Sequence, residues 1–62
     1  TLALTDLNKA ISLNPKISSA FYYRGKIKVH SNDIIGACTD FRQAKNLGAT
    51  YATEDLQKNK CK

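Results

Sequence analysis

Apolar side chains near the start of the chain fall at Ala3, Leu4, Leu7, Ala10 and Ile11, with Thr5, Asp6, Asn8, Lys9 and Ser12 between them. Steps of three and four put such residues on one face of a helix. The pattern predicts a helix over 2–13 that stops near Asn14, because Pro15 lacks an amide hydrogen and drives the residue before it out of helical geometry. A second helix is predicted to begin at Lys16 or Ser18 and to run to about Ser31, where Asn32 can close it in the left-handed conformation. Asp33 then offers a carboxylate to a third helix, whose stripe of Ile34, Ala37, Cys38, Phe41, Ala44 and Leu47 ends at Gly48. Thr50 is placed to cap a short fourth helix over 51–60, with Glu54 and Asp55 in its first turn. Its apolar face is thin: Tyr51, Ala52, Leu56 and Cys61. No strand period competes, and the short connections force neighbouring helices antiparallel. The expected fold is all-α, three longer helices and a short closing one.

The chain also repeats itself. ALTDLNKAISLNP over 3–15 returns as ACTDFRQAKNLGA over 37–49, a spacing of 34 residues, with Ala3/Ala37, Thr5/Thr39, Asp6/Asp40, Ala10/Ala44 and Leu13/Leu47 identical. Leu7/Phe41 keeps a large apolar side chain. A fixed period of this length is the mark of a helical repeat.

These residues resemble the tetratricopeptide repeat, a helix-turn-helix unit with the pattern W-x2-L-G-x2-Y, then A-x3-F, then P. Residues 1–15 look like the second helix of a partial repeat, 18–48 like a full helix pair and 50–62 like a capping helix, together one unit. Phe21 stands at the Trp site, Gly25 at the Gly, Ala37 and Phe41 at the A-x3-F, and Ala44 at the small residue that follows. Arg24 replaces the Leu and Lys28 the Tyr, and YYRGKIK looks like a common variant of the family with Arg and Lys in those places. Ala49 stands where Pro15 stands one repeat earlier, so the series is expected to end here. The resemblance implies an antiparallel solenoid fragment that holds a partner peptide in a concave groove, with no reaction and no cofactor. Packing gives the small residues an independent reason: Gly25, level with Ala37 across the hairpin, lets two helix backbones approach while Phe21 and Phe41 fill adjacent layers.

Composition changes this picture little. At 62 residues the chain is one small domain with a marginal core of its own. It opens on Thr1 rather than Met and is expected to be a piece of a longer protein. No apolar run is long enough to cross a bilayer, so no membrane partner is expected. Ten Lys and Arg against five Asp and Glu give a net charge of +5, but the cations are scattered, apart from Lys26 and Lys28 around one turn and Lys58, Lys60 and Lys62 at the end. A basic helical nucleic-acid module using Arg24, Lys26, Lys28, Arg42 and Lys45 is the rival reading, and steep salt dependence would distinguish it. Self-assembly through the open face of the first helix, at Leu4, Leu7 and Ile11, is a third.

Enzymatic chemistry finds no foothold in the sequence. His30 is the only histidine, Asp33 follows it across a helix break, and no nucleophile falls beside them. The three glycines are isolated, and no His/Cys cluster has metal-ligand spacing. Two constellations remain. Arg24 and Asp40 lie equally far along the chain from the turn at Asn32, so they should pair, and with Asp6 and Lys58 they could make a ladder of alternating charge. The second helix also presents Ser19, Tyr22, Tyr23, Lys26, Val29 and His30 at spacings of three and four. Of these, Ser19, Tyr22, Tyr23, Lys26 and His30 are the candidate peptide-binding groove, where tyrosines supply contact area and Lys26 and His30 meet a carboxylate; the alternative is that Tyr22 and Tyr23 pack on neighbouring helices. The carboxylate clamp of chaperone-binding members needs Asn where Tyr23 sits, so that specialised role is not expected. Cys38 and Cys61 fall roughly level about the turn near Ala49 and are either joined or free thiols. A bridge would anchor the thin fourth helix and point to a periplasmic or secreted location, and free thiols to the cytoplasm.

Overall fold

The computed structural model describes residues 4–61, all of whose regular structure is helical: α1 Leu4–Leu13, α2 Ser18–His30, α3 Ile34–Asn46 and α4 Ala52–Lys58. The expected start of α1 at Leu2, the Ala3 of the repeat match and the terminal Lys62 lie outside the described residues. Each break follows local chemistry. Before Pro15, the Asn14 amide closes the last turn of α1 onto the Ala10 carbonyl, and the Asn14 side chain accepts from the Lys16 amide. Asn32 takes φ 65° after α2, and the Asp33 carboxylate accepts the Gly36 amide at 3.0 Å, a side-chain cap for α3. Gly48 takes φ 112° after α3, a conformation that a side chain would strain.

The fourth helix departs from expectation at its start. Its cap position is Tyr51, in helical geometry with no side-chain hydrogen bond, and Thr50 is no cap. The chain instead passes from α3 into α4 through a run of tight turns, in which Ala49 donates to the Ala44 carbonyl and Ala52 to the Ala49 carbonyl. Ala49 and Ala52 are both buried against the end of α3, and that packing places the helix start.

In space, α1 packs on α2, α2 on α3 and α3 on α4. The core is Phe21, Ala37, Phe41, Ala44, Ala49 and Ala52, with Ile11, Tyr22, Val29, Leu47 and Leu56 partly buried against it. Leu7 is only 1% exposed and Ile11 is partly buried against the core, so of the open face expected on α1 only Leu4, at 39%, is exposed. Alanine dominates this core because helix axes in so small a stack must approach closely for its two phenylalanines to fill the space between them.

Gly25 shows how tight that approach is, and its partner differs from the expected Ala37. A β-carbon at Gly25 would lie 2.7 and 2.8 Å from two atoms of the Phe41 ring. The glycine therefore accommodates the ring of the most enclosed aromatic residue, itself fully buried. Gly25→Ala should destabilise the protein by about 1–3 kcal/mol through overpacking, despite the roughly 1 kcal/mol that alanine gains in helix propensity. Combining it with Phe41→Leu should recover part of the loss seen for the two single changes, because the clash is then gone. Thermal denaturation of the three variants checks this, and an unchanged melting temperature for Gly25→Ala would contradict it.

Candidate functional site

The two constellations occupy different sides of α2, and side-chain spacing explains why. Arg24 and Lys28 are one turn apart on one side, and Tyr22 and Lys26 are one turn apart on another. Each pair meets a carboxylate from a different helix.

On the first side, Arg24 grips Asp40 with two parallel hydrogen bonds, Nε to Oδ2 at 2.8 Å and Nη2 to Oδ1 at 2.7 Å. Lys28 Nζ adds a second ion pair to Oδ2 at 3.1 Å. Asp40 is 2% exposed, so this buried carboxylate is served by two cations whose heads still reach solvent. The hydrogen bonds to Asp40 raise the already high pKa of Arg24 further, and burial opposes them. The third arm of Arg24 donates to Asn8 Oδ1 at 3.0 Å. The ladder thus has a different composition from the one expected. Asn8 stands in for Asp6, which is exposed, and Lys58 lies exposed on α4 outside the network. Phe21, whose ring centroid lies 5.3 Å from the Arg24 guanidinium carbon, covers the pair from the side.

On the second side, Tyr22 is the hub of an aromatic cluster. Its ring lies 5.6 Å from Phe41, 5.7 Å from Tyr23 and 4.7 Å from Tyr51, the last two edge to face. Lys26 Nζ sits 5.3 Å from the centre of the Tyr22 ring and 3.1 Å from Asp55 Oδ1. Burial pushes the Tyr22 phenol above its ordinary 10.0, helped by the Asp55 carboxylate, and hydrogen bonding to Asp55 and Tyr22 raises Lys26 above its ordinary 10.5.

The proposed groove residues therefore divide. Ser19, Tyr23 and His30 are exposed, with Tyr23 at 52%. Tyr22 is half-buried and mostly a packing residue, and Lys26 is exposed but already engaged with Asp55. Two residues of this face that sequence reasoning did not place there are Tyr51, 52% exposed, and Asp55, 7% exposed. The signal for them is indirect: in a stack of antiparallel neighbours, alternate helices run parallel, so a parallel α4 lies within reach of α2. The same number of residues separates Tyr22 from Tyr51 and Lys26 from Asp55, as two parallel helices in register require.

Cys38 and Cys61 form a disulfide with their α-carbons 5.6 Å apart, tying the end of the chain after α4 to α3. In the chain-entropy account a closed loop of this length stabilises by roughly 3 to 4 kcal/mol. Among the described residues no cluster of His, Cys, Asp and Glu could hold a metal ion, no helix is long and apolar enough to cross a membrane, and every buried side-chain polar atom has a partner. Compared with family models, with curated proteins and with solved structures, the chain gives no match.

Two predictions follow from the two carboxylates. Asp40→Leu should cost about 3 kcal/mol, because it strands both Arg24 and Lys28, whereas Arg24→Leu leaves Asp40 paired with Lys28 and should cost about 1 kcal/mol. Equal losses in chemical denaturation would contradict that assignment. The alkaline limb of stability tests the other carboxylate. Lys26 and Tyr22 both have folded pKa values above their ordinary ones, so what they contribute is complete below about pH 10 and is lost as pH rises through the folded values. Stability should fall above that pH, and Asp55→Asn should make the fall shallower. Melting curves between pH 8 and pH 11.5, taken at intervals of about half a unit, would show parallel limbs if Asp55 were not the cause.

Proposed function

We propose that this chain is a tetratricopeptide-like fragment, a partial repeat, one full helix pair and a capping helix, that acts as a non-catalytic protein-interaction scaffold. The reading rests on the repeated sequence 34 residues apart and on one structural observation. Two side-chain contacts, Tyr22–Tyr51 and Lys26–Asp55, join α2 to the start and body of α4 with the same sequence offset, as parallel neighbours would have. Alternate parallel helices are what stacking of helix pairs produces. They share a face on which Tyr23 and Tyr51 are each half exposed and Lys26 keeps 46% of its side chain in solvent.

Such a face suits an extended peptide. Rigid aromatic side chains offer contact area at low entropic cost, and the exposed His30 imidazole, with the Lys26 ammonium where a ligand carboxylate shares it with Asp55, can meet a carboxylate of the ligand. Tyr22, itself packed against Phe41, contacts both Tyr23 and Tyr51, so the surface is preorganised. The disulfide fits a periplasmic or secreted setting.

Selection of the protein against a displayed peptide library, followed by fluorescence anisotropy on the enriched sequences, tests the reading. Tyr23→Ser should weaken binding by about tenfold or more, equivalent to about 1.4 kcal/mol, with little change in melting temperature because Tyr23 is not part of the core. Failure to enrich any peptide, or equal affinity in the variant, would count against this face.

A further inference from the structure

We infer that the Cys38–Cys61 bridge is a redox latch on α4: a dithiol reductant opens it, and α4 then leaves the α2–α3 pair while that pair stays folded. The inference goes beyond peptide binding and stands whether or not this face takes a ligand.

Three observations carry it. The first is access. Both cysteines are partly exposed, and Cys61 lines an open cleft between α3 and α4 together with Arg42, Lys45, Asn46 and Gln57. A cationic flank of this kind, continued by Lys60 next to Cys61 in sequence, favours the thiolate forms through which disulfides exchange.

The second is how little else holds α4. It has seven residues, too few to persist as a helix without tertiary support. Its fully buried apolar residue is Ala52, with Leu56 partly buried, and its ion pair to α2 uses a lysine that is half in solvent. Water at the lysine weakens that pair, although its Asp55 carboxylate is itself buried. The covalent link, at the far end of the helix from Ala52, is what keeps that end against α3.

The third is that the rest of the fold has an independent hold. Phe21, Ala37, Phe41 and Ala44 pack between α2 and α3, and Asp40 joins those helices to each other and, through Arg24 and Asn8, to α1. None of these hydrogen bonds passes through α4.

The exchange balances as follows. A thiolate of the reductant bonds to the sulfur of Cys61, the member at the open edge; the bond between the two protein sulfurs breaks, and Cys38 leaves as a thiolate that takes up a proton. The second thiol of the reductant, losing its proton, displaces Cys61, which is protonated in turn. The reductant is oxidised to a disulfide and the protein gains two electrons and two protons. Undocking then uncovers the side of Tyr22 on which Tyr51 rests and the part of the core that Ala52 and Leu56 complete, so the latch controls an apolar surface.

Hydrogen exchange read by mass spectrometry on the oxidised protein, on protein reduced with dithiothreitol and on Cys61→Ser decides the matter. Amides over 53–61 should exchange at least about tenfold faster in the reduced protein and in the variant, while those of 21–29 and 37–45 change less than about threefold. Reoxidation should restore the slow rates. Uniform acceleration along the chain would overturn the latch in favour of a staple for the whole fold. Unchanged exchange over 53–61, or a bridge that resists millimolar dithiothreitol in the folded protein, would overturn it as well.

Discussion

A carboxylate that is 2% exposed has lost nearly all its water, and in a chain of 62 residues that loss must be met by the few groups within reach. Asp40 meets it with a bidentate arginine and a lysine, both from α2, so the register between α2 and α3 is set by charge as well as by shape. A slip of one residue in either helix would remove the partners together. The arginine does more than neutralise. Its third donor reaches Asn8, which makes Asp40 the point through which α1, α2 and α3 are joined. Guanidinium suits this position because its planar fork binds the carboxylate through two nitrogens and leaves another for a different acceptor, which an ammonium group cannot do with the same geometry.

The fourth helix is held by other means. Alanines at 49 and 52 seal its start, Tyr51 rests edge-on against Tyr22, Asp55 takes Lys26, and the disulfide closes the far end. These contacts leave α2 with neighbours on three sides, α1, α3 and α4. A helix so placed has no broad apolar stripe, and YYRGKIK accordingly mixes aromatic, cationic and small residues around its circumference. Each cation there has an apolar stem lying along the helix and a charged head directed at a carboxylate on a neighbour, which is how a polar sequence can serve as a central element.

Features set by a turn are legible in the sequence. Pro15, Asn32 and Gly48 mark the breaks, and counting outward from them brings Arg24 to Asp40 and Cys38 to Cys61. What cannot be counted from a turn is harder to read. Asn8 replaces Asp6 because the choice depends on which side of α1 faces the arginine, a rotation that neither residue reveals. Lys28 joins Asp40 because its stem is long enough to follow one turn of helix, and the sequence shows only that it departs from the expected tyrosine. Thr50 looks like a cap, but burial of Ala49 and Ala52 outweighs the hydroxyl's preference and moves the start of α4. The contact of α2 with α4 involves no shared turn at all, so the sequence shows Tyr51 and Asp55 only as parts of their own helix. Gly25 could be recognised as a site of close approach, but the body approaching it is the ring of Phe41, which depends on a side-chain rotamer.

The candidate face inherits an asymmetry from these two ways of holding helices. Tyr23 and Lys26 stand on α2, which is fixed by buried charge and by the phenylalanine layers, whereas Tyr51 stands at the start of α4, a short helix that adds one alanine to the core and whose far end is held by the disulfide. Stability in small domains is rarely uniform, and segments with few buried apolar contacts open at lower cost than the global fold. A ligand that touches both tyrosines would stabilise the docked position of α4 by mass action, since it binds that arrangement and not the open one. Closing the disulfide would in turn raise the affinity for such a ligand, because less ordering is left for binding to supply. Binding and oxidation would then favour the same arrangement of α2 and α4, and each would strengthen the other through the position of one short helix.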